Sequence, residues 1–242
     1  MTPQPFIVVF ALFDRVTQLD FTGPYEVFWR LPGAQCVMAS ADGGEIHADG
    51  GLVISGVQRL ADVPHADLVC VPGGFGVIEA MGDAAFVREV RRLADGARYV
   101  TSVCSGSLVL GAAGLLRGRR AACHWAWRDL LPPFGATVDE GRVVRDGNLI
   151  TGGGVTAGID MALTVMADIA GPEHAQSVQL GIEYAPAPPF DCGRPERAAP
   201  EILGAVTARL DRLRADRYAA VQRAAQRVAT PSSAPAARPP VA

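Results

Sequence analysis

The residue best placed to act as a nucleophile is a cysteine. In the segment Tyr99-Val100-Thr101-Ser102-Val103-Cys104-Ser105-Gly106-Ser107-Leu108-Val109-Leu110, a β-rich run ends at Cys104, small residues follow, and a helical pattern begins at once. This is the form of a nucleophile elbow, a tight turn with small neighbours whose side chain projects toward the free N–H groups of the next helix. Helix N-terminal charge stabilises a thiolate, so the segment predicts a reactive thiol titrating below the ordinary value of about 8.5. The same pattern also fits a small hydrophobe in a core strand, the usual situation of a free cysteine. Of the other four, Cys36 and Cys70 lie inside apolar runs and read as core, Cys123 ends a short segment before His124, and Cys192 falls in a Pro-rich connector.

A thiol nucleophile needs a partner for its proton, and three side chains qualify. Asp20, in Thr17-Gln18-Leu19-Asp20-Phe21-Thr22-Gly23-Pro24, follows the first apolar run. That places it at the carboxyl edge of a sheet, where open α/β proteins bind ligands and where Cys104 also falls. Asp20 reads equally as a helix N-cap or turn residue. His124, next to Trp125, reads as a site residue or as a buried, hydrogen-bonded histidine. Glu79 reads as a surface acid at a helix start. Two glycine clusters, Gly73-Gly74 with Gly76 and Gly152-Gly153-Gly154 before Thr156, let backbone approach a ligand and offer N–H groups for an oxyanion; ordinary turn geometry explains them too. Neither has dinucleotide-binding spacing.

Composition removes whole classes of chemistry. All 22 basic residues of the 242-residue chain are Arg. With no Lys there is no Schiff-base amine, no ordinary pyridoxal-phosphate enzyme and no P-loop lysine. Net charge is -3, so the chain as a whole has no electrostatic footprint for nucleic acid. The charge is uneven: residues 1–200 hold 15 Arg against 22 acids and the remainder 7 against 3, a mildly basic appendage set away from the Cys104 segment. No apolar run reaches the length of a membrane span. Residues 1–5 lead into an apolar run without a signal peptide's charged region or cleavage site. Five dispersed cysteines without a C-x-x-C pair point to free thiols in a reducing, cytoplasmic setting.

The elements that must carry these groups are legible as an alternation. Near-continuous Val/Ile/Leu runs at 6–12, 35–41, 66–72 and 99–104 predict strands covered on both faces; helical patterns occupy 24–31, 78–94, 107–116, 125–131 and 156–169. Such alternation implies a parallel sheet with crossover helices. Asp49-Gly50-Gly51 within 45–55 and Asp146-Gly147 within 142–151 predict hairpins, expected as excursions from the main sheet. Beyond the Ala185-Pro186-Ala187-Pro188-Pro189 connector, residues 201–229 predict one amphipathic helix, and 231–242 a disordered Pro/Ala-rich tail.

Taken together, Gln18 to Phe28, Val71-Pro72-Gly73-Gly74, Val103 to Ser107, His124-Trp125, Gly152 to Asp160 and Glu183 to Phe190 resemble the ThiJ/PfpI superfamily of cysteine proteins. Within it the likeness is greatest to the isocyanide hydratases. The resemblance implies an α/β, flavodoxin-like doubly wound, mostly parallel sheet with helices on both faces, over residues 1–195. Residues 196–230 then form a helical extension and 231–242 the tail. It also implies a homodimer. In function it implies a cofactor-independent hydratase that converts a small-molecule isocyanide to an N-substituted formamide through a cysteine thioimidate, without metal, nucleic acid or membrane. Carried over by position, Cys104 is the nucleophile, Asp20 the general acid/base, and Ser105 the hydroxyl beside the thiol where the family pattern commonly has Thr. Gly73, Gly74, Phe21, His124, Trp125 and Thr156 are the expected substrate contacts, with Tyr25 and Phe28 as further apolar walls.

The competing reading is a non-catalytic ligand-binding or thiol-sensing domain of the kind found in AraC-type regulators. Those need about 100 residues of paired helix-turn-helix motifs, whereas one Arg-bearing helix and a tail follow here. A glutamine amidotransferase would need a downstream His beside Glu183, and a PfpI-type peptidase a His at position 105; the sequence supplies neither.

Overall fold

A computed structural model describes residues 4–229. Among these residues ten strands and eight α-helices follow one another. The strands are β1 (Phe6–Ala11), β2 (Ala34–Ser40), β3 (Gly44–His47), β4 (Val53–Arg59), β5 (Leu68–Val71), β6 (Tyr99–Val103), β7 (Arg120–Ala121), β8 (Thr137–Val138), β9 (Val143–Asp146) and β10 (Leu149–Gly152). The helices are α1 (Gln18–Phe28), α2 (Val77–Gly82), α3 (Ala84–Gly96), α4 (Gly106–Ala112), α5 (Ala157–Ala170), α6 (Pro172–Gly181), α7 (Pro200–Asp211) and α8 (Arg214–Ala229). No helix among the described residues is long and apolar enough to cross a membrane.

Eight strands form one sheet in the order β3-β4-β2-β1-β5-β6-β10-β9, parallel from β4 through β10 and antiparallel only at its two outermost pairs. From β1 the chain winds outward to β2 and then returns to β5 on the other side, so the winding reverses between β1 and β5. A crevice opens at the carboxyl ends of strands at such a reversal. Helices α1, α5 and α6 pack together on one face, and α2, α3, α4 and α8 on the other. The central strands are apolar toward both layers: Val8–Ala11 and Leu68–Val71 are fully buried. Each such side chain contributes about 1.5–3 kcal/mol of burial.

Several predicted boundaries shift for identifiable reasons. Helix α1 begins at Gln18, six residues before Pro24, so Asp20 lies inside its first turn; Thr17, not Asp20, occupies the N-cap position. The pattern at 78–94 is two helices, because Asp83 accepts from the N–H groups of Ala85 and Phe86 and starts a new one. The pattern at 125–131 is a set of turns with a 3₁₀ segment at Arg128–Leu130. Helix α6 was not anticipated; Gly171-Pro172 ends α5 and opens it with Pro in the first turn. The hairpins are not excursions but the edges of the main sheet, since β4 pairs with β2 and β10 with β6. The single helix expected over 201–229 is two, α7 and α8, and α8 buries Arg217, Ala220, Val221 and Ala224 against the body of the protein. The expected tail at 231–242 lies outside the described residues.

The buried hydroxyls of Thr101 and Ser102 in β6 are both satisfied. Thr101 Oγ1 donates to Val69 O, Ser102 and Ser107 share a hydrogen bond of 2.8 Å, Ser107 Oγ donates to Ala122 O, and Ala122 N–H donates to Thr151 Oγ1. These bonds tie β6, α4 and β10 to one another through buried hydroxyls. Gly106 opens α4 so close to the end of β5 that a Cβ there would overlap the carbonyl oxygen of Val71. Because both partners are backbone, neither can swing aside. Gly106→Ala is therefore expected to lower stability by about 1–3 kcal/mol, seen as a lower denaturation midpoint in urea. An unchanged midpoint would mean that the strand and helix separate freely.

Candidate active site

The chain reaches Cys104 at the end of β6 and turns with Cys104 in the left-handed region, at φ 59°. A β-carbon resists this conformation, so it marks a turn enforced by its surroundings. Cys104 N–H donates to Gly152 O of β10, and Cys104 O accepts from His124 N–H. Anchored on both sides, the thiol points into the crevice with 6% of the residue exposed.

Asp20 comes to the same place from α1. It is fully buried, and its Oδ2 accepts the Gly73 N–H at 2.9 Å. Its carboxyl also interacts with the Cys104 thiol, while Oδ1 has no well-aligned hydrogen-bond partner among the described residues. Burial raises the Asp20 pKa from 3.8 to about 7, against the lowering effect of the Gly73 amide and of the thiol. Burial also raises the Cys104 thiol well above its ordinary range, reinforced by the Asp20 charge and only partly offset by the Ser105 amide. This reverses the expectation of a thiolate held by a helix terminus: α4 is short, and desolvation outweighs it. At rest the pair is a neutral thiol beside a carboxyl that titrates near neutrality.

The glycines do a different task from the one their exposed N–H groups suggested. Gly73 N–H is used by Asp20, and Gly74 N–H donates to Ser105 Oγ at 3.2 Å, so both orient catalytic-type side chains and neither is open to an oxyanion. A Cβ on Gly73 would lie 2.6 Å from Ser105 Oγ and 2.9 Å from Asp20 Oδ2. Only glycine lets the three segments converge.

A cavity of about 270 Å³ opens over the thiol, lined by Cys104 and Ser105, by the aromatic residues Phe75, Trp125 and Trp127, and by His124. His124 is neutral at neutral pH, its pKa lowered to about 4 by burial and by the nearby Arg217 charge, and its Nδ1 accepts from Ala126 N–H. It lines the cavity as a neutral imidazole. The far side of the cavity is built by Val206, Arg209 and Leu210 of α7 and by Arg217 of α8. The basic C-terminal segment, expected to lie away from the site, closes over it.

Four of the expected contacts and walls, Phe21, Tyr25, Phe28 and Thr156, go elsewhere. Phe21 is buried in a cluster with Phe10 and Tyr25, at centroid distances of 5.3 and 5.4 Å, because the side of α1 carrying positions 21, 25 and 28 faces the sheet. Phe28 is core for the same reason, 6.5 Å from Phe10. Thr156 lies in an adjoining depression of about 210 Å³, where its hydroxyl accepts from Arg142; this depression meets the Cys104 cavity at His124, Trp125 and Val155. A larger cavity, about 390 Å³, sits beyond β1 and β2 among Asp14, Asp42, Glu45, Glu79 and Asp83. Its one hydroxyl, on Ser40, accepts from the Gly43 N–H, and three of those acids are engaged: Asp14 by the His47 N–H, Asp83 as a helix cap and Glu79 by Arg15.

The chain is similar to known proteins over most of its length. The profile of the DJ-1/PfpI family matches residues 7–168. An isonitrile hydratase of Pseudomonas putida is 52% identical over 194 residues, 80% of this chain and 85% of that protein. The HTH-type transcriptional regulator CdhR of Pseudomonas aeruginosa is 35% identical over 57% of this chain and 42% of its own length. A crystal structure of a ThiJ/PfpI family protein from Pseudomonas syringae superposes with a TM-score of 0.87 at 36% identity, covering 90% of each chain.

The raised Asp20 pKa makes stability depend on pH with a definite sign. A carboxyl that binds its proton more tightly in the folded state contributes fully below its unfolded value near 4, and that contribution is lost as pH rises toward 7. Asp20→Asn cannot ionise. Its melting temperature relative to the parent is expected to climb between pH 4 and pH 8, and a difference that stays constant across that range would overturn the assignment.

Proposed function

The chain belongs to the DJ-1/PfpI family, and on that premise we propose that it is an isocyanide hydratase, adding water to an isocyanide to give an N-substituted formamide. The observation that carries this reading is the buried contact between Asp20 and Cys104 in a chain 52% identical to an isonitrile hydratase. An isocyanide is neutral overall and carries an apolar substituent on its nitrogen. It calls for a thiol, one titratable carboxyl and an apolar pocket, which the crevice supplies in Cys104, Asp20 and the walls Phe75, Trp125, Trp127 and Leu210.

The chemistry follows from the two groups. Ionised Asp20 accepts the thiol proton as Cys104 Sγ bonds to the isocyanide carbon, and returns that proton to the same carbon, giving the thioimidate Cys–S–CH=N–R. Asp20, ionised again, then takes a proton from water as its oxygen bonds to the carbon, and delivers it to the nitrogen. The tetrahedral adduct collapses, its hydroxyl proton passing to sulfur as the carbon–sulfur bond breaks, and R–NH–CHO leaves with the thiol restored. One carboxyl suffices because a pKa of about 7 lets it give and take protons near neutral pH. The cage around it, with Ser105 and the two glycine amides, keeps the carboxyl and thiol in register.

Turnover of alkyl and aryl isocyanides to formamides, followed by chromatography, tests the reading directly. The parent is expected to turn over and Cys104→Ala to be inactive with an unchanged circular dichroism spectrum; a parent inert toward a panel of isocyanides would reject it. Asp20→Asn is expected to lose about 10²-fold or more in rate, the usual magnitude for removing a general acid/base. A variant with the parent's rate would remove Asp20 from the mechanism.

A further inference from the structure

Helix α8 brings to the cavity a buried charge that the chemistry above does not use. Arg217 is 2% exposed, and no carboxylate forms an ion pair with it among the described residues. Its Nη2 donates to Gly74 O at 3.1 Å, and its guanidinium lies 4.1 Å from the Trp127 ring centroid and 6.0 Å from that of Phe75. Nε and Nη1 are buried without a hydrogen-bond partner among the described residues. Burying an unpaired cation is costly, and such a group persists where something anionic answers it.

The charged and titratable groups around it are few. Cys104 and Cys123 lie within its field, Asp49 of the β3–β4 turn and Glu79 of α2 act on it from farther off, and His124 is held neutral partly by it. On the thiol's side the neighbours are Asp20 and Cys123. Arg214, the other cation near Trp127, is taken up by Asp129 and Asp211, and Arg209 of α7 faces the same cavity from its far side. The backbone that Arg217 grips is also the backbone that aims the site: Gly74 N–H holds Ser105, and the preceding Gly73 N–H holds Asp20.

We propose that Arg217 is a positioning residue of the Cys104 site, clamping the Gly74 carbonyl next to the Gly73 and Gly74 amides that orient Asp20 and Ser105, and acting as counter-ion to the negative charge Cys104 acquires when its proton leaves. Opposite charge nearby favours the ionised form, and an arginine stacked on Trp127 supplies it without a carboxylate that would compete for it. The inference goes beyond the hydration reading, since it holds for any electrophile the thiol meets.

The test is the pH dependence of Cys104 alkylation by iodoacetamide in the full-length chain. The background is Cys192→Ser, because Cys192 is exposed and would react as well. Modification is followed by mass spectrometry of the Cys104 peptide. Arg217→Gln is expected to move the midpoint of the rate profile up by roughly one pH unit or more, since removing a cation disfavours the thiolate. Arg217→Met, an apolar side chain of similar reach, repeats the neutral arm should the Gln variant fold poorly. Arg217→Lys is expected to keep the parent's midpoint but to alkylate several-fold more slowly at its plateau, because an ammonium cannot stack and grip as the planar guanidinium does. Neutral variants with the parent's midpoint would overturn the counter-ion role; Arg217→Lys with the parent's midpoint and plateau would overturn the clamp. No isocyanide enters the assay, so an enzyme that fails to hydrate isocyanides would leave these outcomes standing.

Discussion

Asp20 holds a carboxyl out of contact with bulk solvent, supported by one amide N–H and by contact with a thiol, and most of the local architecture serves that arrangement. A lone carboxylate in such a place is costly. Here the cost appears as a proton affinity raised to neutrality, which converts a structural burden into a group able to exchange protons at the thiol. The positive φ of Cys104, the closeness of Gly73 to Ser105 and the absence of a side chain on Gly106 are the conditions under which β1, β5 and β6 bring their carboxyl ends close enough for the contact to exist.

The sheet side of this arrangement was legible in the sequence and the helical roof was not. Cys104 and Asp20 fall after apolar runs that could only be buried parallel strands, and the carboxyl edge of such a sheet is a shared address, so their meeting could be anticipated across a long separation. The direction of the thiol's pKa could not, because pattern reveals a helix terminus but not how much water the terminus excludes. Phe21 illustrates the same limit: an aromatic beside Asp20 is as plausible in the wall as in the core, and only the rotation of α1 places it against Phe10. Arg217 carried no local signal at all. It is one of seven arginines beyond residue 200, and its burial follows from where α8 docks rather than from its neighbours in sequence.

That docking divides the cavity into two kinds of surface. The thiol and the glycine amides follow strand ends and the carboxyl sits in the first turn of α1, all held by the core. The opposing surface comes from α7 and α8, with α7 contributing Val206 and Leu210 although none of its residues is fully buried. Reactivity thus rests on the most constrained part of the fold, and the shape presented to a substrate on one of the less constrained parts. Residues of α7 can therefore differ between related proteins without disturbing the Asp20–Cys104 contact.

The hydroxyls beneath the elbow have a consequence for proton traffic. Ser107 has a single hydrogen and gives it to the Ala122 carbonyl, so in the bond it shares with Ser102 it can only accept. The row therefore has one polarity, running from Ser102 through Ser107 to an oxygen that cannot pass a proton onward. Such a row is a wire cut at its end. The hydroxyls of Ser102 and Ser107 thus offer the Cys104 thiol no relay that could carry a proton onward through the interior.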